Sequence, residues 1–198
     1  MTDWEKQYRI GETPWDKGRA HPQLAEFPAA TFTGRWLVPG CGFGHDAAAI
    51  VGAGASSVVG MDIAPSAVDG AKVKWSDQPA INIELGDLFA MEHSSHAGQF
   101  DGVWEHTCFC AIDPSMRLKY VQSVAAALKP GGKFIACFYL TPWDEDEDQT
   151  QGPPFGTSRE ELDKLFGCDF MIDHEFVPQT TFPGREGKEL VRILRKIS

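Results

Sequence analysis

Arg35-Trp36-Leu37-Val38-Pro39-Gly40-Cys41-Gly42-Phe43-Gly44-His45-Asp46 decides the architecture of this chain. An apolar stretch runs into a glycine-rich turn, and the turn runs into a helix-compatible segment through Ala47, Ala48, Ala49, Ile50 and Val51. Eighteen residues past Gly44, a second apolar stretch, Val58-Val59-Gly60-Met61, ends in Asp62. The pattern predicts strand, tight turn, helix and a second strand with an acid at its tip. That is the layout of a nucleoside-binding βαβ unit, whose carboxylate accepts hydrogen bonds from ribose hydroxyls. A dinucleotide fingerprint needs glycine or alanine three residues after Gly42, where helix and strand close over a pyrophosphate. Position 45 is His45 instead, and the third glycine falls at Gly44. Such a turn leaves room for an uncharged nucleoside joined to an amino acid, which points to S-adenosylmethionine as cofactor and S-adenosylhomocysteine as product.

The rest of the chain bounds this expectation. Its 198 residues suit one domain with a full core and no disulfide staples, over residues 1–198. The opening Met1-Thr2-Asp3-Trp4-Glu5-Lys6 is polar and does not resemble a signal peptide, and no apolar run approaches the ~20 residues of a membrane span. Five cysteines are an odd number, and Cys108-x-Cys110 lacks a second pair at ligand spacing. Reduced thiols, a cytoplasmic location and no metal are therefore expected. A net charge of −10 argues against a nucleic-acid partner. The expected partner is a small-molecule substrate, with no membrane association and the chain acting as a monomer.

Outward from the turn, strands and helices alternate. Strands are expected at Arg35 to Val38, Ser57 to Asp62, Ile81 to Leu85, Phe100 to Trp104 and Lys133 to Leu140. Helices fall between them at His45 to Gly52, Pro65 to Ser76 and about Pro114 to Leu128, the last stopped by Lys129-Pro130-Gly131-Gly132. A helix from Ser158 to Phe166 opens as a capping box, Ser158-x-x-Glu161. Strands near Phe170 to Val177 and Glu189 to Ile197 close the chain as an antiparallel pair. The fold class is α/β: a doubly wound, mostly parallel seven-stranded sheet, Rossmann-like, with a C-terminal antiparallel hairpin. Two stretches stand outside it. One is the acid run Asp144-Glu145-Asp146-Glu147-Asp148, in a loop; the other is the aromatic-rich segment 1–30, with a short helix around Asp3 to Arg9.

In such a sheet the ligand lies beyond the carboxyl ends of the strands, at the switch point beside the first. Candidates for the cofactor are therefore Gly40, Gly42, Asp62 with Ile63 beside it, Asp87, Leu88, Glu105 and His106. Asp62 suits the ribose, Asp87 the adenine amino group, and Leu88 the face of the ring. Trp4, Tyr8 and Trp15 have no strand to serve and are placed to fold over a sulfonium as a lid, each cation–π contact contributing about 0.5–2 kcal/mol.

With these residues in view, the chain resembles the thiopurine S-methyltransferase family of class I methyltransferases, and most of all its thiol and halide methyltransferase branch. The resemblance is carried by Trp4-Glu5-Lys6, Thr13-Pro14-Trp15-Asp16-x-Gly18-Arg19, Val38-Pro39-Gly40-Cys41-Gly42-x-Gly44-His45-Asp46, Phe109-Cys110-Ala111-Ile112-x-Pro114-x-Met116-Arg117 and Gly152-Pro153-Pro154-Phe155. It implies cofactor contacts at Trp4, Tyr8, Trp15, Gly40, Asp62, Asp87, Leu88 and His106. Tyr8 stands where the plant-type enzymes place a tryptophan. His106 stands where that branch has tyrosine and the thiopurine branch has arginine. The implied activity is methyl transfer to hydrosulfide or another thiol, a halide or thiocyanate. The alternative is an aromatic thiol, a thiopurine, or a selenium or tellurium compound. Phe109, Cys110, Tyr139, Trp143 and Phe155 are expected to wall an apolar acceptor pocket. His106 and Tyr139 are the catalytic candidates, either removing a thiol proton or holding an anion. Arg19, His21, Arg117 and Arg185 could offset the acidic surface for an incoming anion.

Overall fold

Trp36, Leu37 and Val38 are all buried, yet they belong to different cores. Trp36 and Val38 pack with Phe32, Ala47, Ile50 and Trp104, whereas Leu37 packs with Val103, Phe134 and Val121 on the opposite face. Successive side chains of a strand alternate between faces, so a strand covered on both sides reads as an unbroken apolar run. Trp36 also explains a glycine in the neighbouring strand: a Cβ on Gly102 would lie 2.4 Å from its ring.

The computed structural model describes residues 2–28, 30–144 and 151–197. Seven strands form one sheet: β1 (Arg35–Pro39), β2 (Ser57–Asp62), β3 (Ile81–Leu85), β4 (Phe100–His106), β5 (Leu128–Tyr139), β6 (Phe170–Phe176) and β7 (Glu189–Lys196). Their order is β3-β2-β1-β4-β5-β7-β6, with β7 antiparallel to both of its neighbours and the other pairs parallel. The helices are α1 (Trp4–Ile10), α2 (His45–Gly52), α3 (Pro65–Lys74), α4 (Arg117–Ala127) and α5 (Arg159–Phe166). β1 lies between β2 and β4, so the chain reverses direction across the sheet there and opens a crevice at the strands' carboxyl ends.

Several boundaries differ from the sequence expectation. β5 begins at Leu128, which pairs with Phe100, and the register then jumps to Gly102 opposite Lys133. Residues 129–132 are thus looped out inside the strand, where the sequence suggested a helix stop and a turn. Pro114–Met116 is a separate 3-10 turn ahead of α4. Half of the capping box forms: Ser158 accepts from the Glu161 N–H, but the Glu161 carboxylate is held by Arg117 Nη1, 2.8 Å from each oxygen. Residues 145–148 of the acid run lie outside the described residues.

Candidate active site at the carboxyl ends of the strands

The glycine turn after β1 is held by the acid after β2. Asp62 accepts from the Gly42 N–H at 2.8 Å with one oxygen and from the Ala64 N–H at 2.9 Å with the other. Two acceptor bonds leave a carboxylate with further lone pairs for hydroxyl donors. Burial raises the Asp62 pKa, opposed by these backbone hydrogen bonds. Gly42 has φ +51°, and a Cβ there would lie 2.9 Å from the Tyr8 hydroxyl, so the turn needs glycine on both counts.

Tyr8 belongs to a segment packed across that turn. Trp4 and Tyr8 on α1 each meet Trp15 edge-on, with ring centroids 5.3 and 5.7 Å apart, and Tyr8 meets Phe43 at 5.4 Å. The Trp15 indole N–H donates to the Tyr8 hydroxyl at 3.1 Å. α1 starts at Asp3, whose side chain accepts from Lys6 N, and stops at Gly11 in the left-handed region. Its anchor is Glu5, whose carboxylate accepts from Ser66 N at 2.9 Å and Ser66 Oγ at 2.7 Å. Ala64, at the N-cap of α3, cannot cap that helix itself, so Glu5 supplies the acceptor from the other end of the sequence.

Between this segment and the strand ends lies a cavity of about 1330 Å³. Of the residues expected at the cofactor, Trp4, Tyr8, Trp15, Gly40, Gly42, Asp62, Ile63, Asp87, Leu88 and His106 all line it. Ile63 is 59% exposed, an apolar surface offered beside Asp62. Asp87 accepts from Phe89 N at 2.8 Å and caps the short turn that carries Leu88.

Glu105 does not join them. Neighbouring residues of a strand face opposite ways, and with His106 on the cavity side Glu105 turns into the core. There it accepts from Cys108 N at 3.0 Å, Phe109 N at 2.7 Å and the Tyr120 hydroxyl. The expected apolar wall changes in the same way. Cys110 and Tyr139 line the cavity, whereas Phe109 is 2% exposed and packs on Tyr120 and Phe138 in the core. Phe155 and Trp143 do not line the cavity: Phe155 N donates to Cys110 O and the Trp143 indole to Gln151 O. Among the described residues, Ile112, Met116, Pro153, Pro154 and Phe182 complete the wall.

The polar end of the cavity is a closed circuit of side chains. His106 Nδ1 lies 2.9 Å from Asp46 Oδ2, and the Trp104 indole donates to the same oxygen at 2.8 Å. The other Asp46 oxygen accepts from the His21 N–H at 2.8 Å. Burial acts to raise the Asp46 pKa, but the His106 and Trp104 bonds and the His21 backbone outweigh it and hold it at about 2. Arg185 Nη1 lies 3.4 Å from His106 Nε2 and donates to Glu189 Oε1 at 3.0 Å. Glu189 Oε2 in turn is 3.1 Å from His21 Nε2, and His21 Nδ1 accepts from Gln23 N. The Arg185 guanidinium lies 4.5 Å over the Tyr139 ring. His21, His106 and Glu189 bring potential metal-ligand atoms within 4.8 Å of one another, but the cation bonded at that corner is the guanidinium. Burial raises the Tyr139 pKa, so the phenol keeps its proton, and burial pushes the Cys110 thiol up to about 12. Of this circuit, sequence reasoning named His106 and Tyr139, gave Arg185 and His21 only a charge-balancing role, and passed over Asp46, Glu189 and Phe182.

A βαβ crevice offering a carboxylate for a ribose, an apolar slot and a cluster of aromatic faces fits S-adenosylmethionine, and the fold is that of a class I methyltransferase. A crystal structure of the Burkholderia thailandensis 1,6-didemethyltoxoflavin-N1-methyltransferase with S-adenosylhomocysteine superposes with a TM-score of 0.74. It covers 99% of this chain and 86% of that one at 20% identity. In sequence, residues 1–177 match the thiopurine S-methyltransferase family. A probable thiol methyltransferase 2 of Arabidopsis thaliana is 36% identical over 182 residues, 87% of this chain and 76% of the relative. Thiocyanate methyltransferase 1 of the same plant is 31% identical over 201 residues, 98% and 85% of the two chains. The chain belongs to the thiopurine S-methyltransferase family and transfers a methyl group from S-adenosylmethionine. Among the described residues, no helix is long and apolar enough to cross a membrane.

Proposed function

We propose that the methyl acceptor is a small, soft nucleophile: hydrosulfide or another thiol, thiocyanate, or a halide. The observation that carries this reading is Arg185, a guanidinium 9% exposed, facing the cavity beside Tyr139 and Phe182. A cation in an apolar wall attracts a small anion and orients it without a large polar recognition surface. The thiol and thiocyanate methyltransferases among the relatives support the same class.

In this reading Asp62 receives the ribose hydroxyls, Ile63 and Leu88 sandwich the adenine, and Asp87 accepts from its amino group. Gly40 and Gly42 leave room for the amino-acid end under Tyr8, and Trp4, Tyr8 and Trp15 screen the sulfonium from water. When bound, S-adenosylmethionine supplies a methyl carbon on a sulfonium, and an attacking lone pair displaces neutral S-adenosylhomocysteine in line. Opposite charges cancel in such a displacement, so a dry apolar site favours it over water, and alignment supplies much of the remaining rate. An anionic acceptor needs no base. Tyr139, a phenol at neutral pH, is a donor for the anion rather than a base, and Cys110 remains a thiol and packs the wall. The enzyme is taken to act as a cytoplasmic monomer on small molecules, without nucleic acid or membrane.

The test is the initial rate of S-adenosylhomocysteine formation with iodide, thiocyanate, hydrosulfide and an aromatic thiol, for wild type and Arg185→Met. Wild type should turn over the small acceptors, and the variant should raise their KM about tenfold or more, some 1.4 kcal/mol, while shifting cofactor affinity far less. Turnover confined to aromatic thiols would move the enzyme to the thiopurine-like alternative.

A further inference from the structure

We propose that Asp46 is a positioning residue that locks His106 in the tautomer able to accept a proton from a thiol, so that the site handles proton-bearing and proton-free acceptors by different means. The proposal rests on the acceptor class argued above. Asp46 is the second residue of α2, where the positive end of the helix favours a carboxylate. Both its oxygens accept: Oδ1 from the His21 N–H, Oδ2 from the Trp104 indole and from His106 Nδ1. An ionised carboxylate accepts only, so the proton of a neutral His106 must sit on Nδ1. Nε2 then carries a lone pair, which accepts from Arg185 Nη1 at 3.4 Å, a long bond that an incoming S–H displaces. The ring itself is fixed by stacking on Phe182 at 5.8 Å and by an edge contact with His21 at 4.6 Å.

The charges around His106 come from every neighbouring element. Asp46 on α2 is the neighbouring anion, and Arg185, in the loop before β7, the neighbouring cation. Glu189 on β7 is bonded to both Arg185 and His21, and the buried Glu105 adjoins His106 on β4. His21 is held neutral by burial, which lowers its pKa, with Nδ1 accepting from Gln23 N. His106 thus has an anion at Nδ1 and a cation at Nε2.

The consequence is chemical. Iodide and thiocyanate carry no proton, so Arg185 suffices for them. A free thiol with a pKa of about 8.5 is only a few per cent thiolate at neutral pH. For it, His106 Nε2 would take the S–H proton while the sulfur lone pair forms the bond to the methyl carbon, the methyl–sulfonium bond breaks with its electron pair leaving on neutral S-adenosylhomocysteine, and the imidazolium opposite Asp46 later returns the proton to solvent. The arrangement parallels the acid that orients the histidine of a serine-protease triad.

Asp46→Asn tests this. Nitrogen NMR of the cofactor-free protein should show His106 protonated on Nδ1 in wild type and on Nε2 in the variant. The ratio of thiol to iodide turnover should fall at least about tenfold near pH 6.5. It should recover toward wild type near pH 9.5 as the thiol ionises by itself. His106→Gln, which leaves the Trp104 and His21 contacts of Asp46 in place, should lower the same ratio and serves if the first variant folds poorly. A His106 tautomer unchanged by the substitution would overturn the proposal, as would thiol and iodide rates falling in parallel at every pH. If wild type methylates neither a thiol nor iodide, the acceptor class fails first and the role of Asp46 with it.

Discussion

At the scale of single residues, Asp62 and Glu189 make opposite demands on their surroundings. Asp62 is 6% exposed, with two backbone N–H groups as partners and lone pairs to spare on the cavity side. Asp62→Ala should weaken S-adenosylmethionine binding by about 1.5–3 kcal/mol, the range for hydrogen bonds to a charged group. Calorimetry on a folded variant with undiminished affinity would remove Asp62 from the cofactor site. Glu189 is 1% exposed and fully engaged by His21, Thr181 and Arg185. Burial acts to raise its pKa, but those bonds hold it at about 2, below its ordinary 4.5. A carboxyl depressed on folding stabilises the native state above its unfolded pKa, and that contribution is lost as pH falls through the folded value. Glu189→Gln should therefore cost about 3 kcal/mol at pH 7, leaving Arg185 buried without its counter-charge. The gap to wild type should close between roughly pH 4.5 and 2, and urea titrations at several pH values would read it. A gap that stays constant down to pH 3 would contradict the depressed pKa. The sequence made Asp62 legible because a glycine turn and a strand-end acid are local signals at fixed spacing. It could not reveal that Asp46 meets His106 across 60 residues or Arg185 across 79 more, since no periodicity encodes such contacts. Glu105 was misplaced for a related reason: register puts it at the strand end, but its face is chosen by the Tyr120 hydroxyl and the backbone of residues 108–109.

At the scale of elements, α1 matters more than its length suggests. Asp3 and Gly11 announce its ends in the sequence, but its docking combines the Tyr8 ring on Phe43 with one carboxylate reaching Ser66 at the start of α3. Glu5→Ala should weaken cofactor binding and speed proteolytic cutting near the N-terminus, with little change in the melting temperature of the cofactor-free protein. Deleting residues 1–20 should go further, leaving a folded core that binds cofactor poorly and transfers no methyl group. A truncated protein with wild-type turnover would reduce Trp4, Tyr8 and Trp15 to surface packing. The central strands β1 and β2 were legible within a residue because both faces of the sheet are covered there and the apolar runs are continuous, whereas β5 begins five residues before the expected Lys133. The loop after β5 was not legible. There Phe155 and Trp143 were expected as pocket walls, yet Phe155 N donates to Cys110 O, the Trp143 indole donates to Gln151 O, both rings pack within the loop against Gly152 and Gly156, and the prolines line the cavity instead.

At the scale of the whole molecule, the proposed acceptor class would have an acidic protein of net charge −10 bring a cationic cofactor and an anionic acceptor into one crevice. The overall field suits the first, and the buried Arg185 on the cavity wall is the group proposed to receive the second. Loose hydration ranks iodide above bromide and chloride last at that wall, and the nucleophilicity of sulfur places hydrosulfide with iodide. The measurement that tests the account most directly is headspace gas chromatography over the enzyme and S-adenosylmethionine, offered hydrosulfide, thiocyanate, iodide, bromide and chloride in parallel with a bulky aromatic thiol. Volatile methylated products are expected from hydrosulfide and iodide, less from bromide and least from chloride. Methylation of the aromatic thiol alone, with nothing volatile from iodide or hydrosulfide, would contradict the proposed acceptor class.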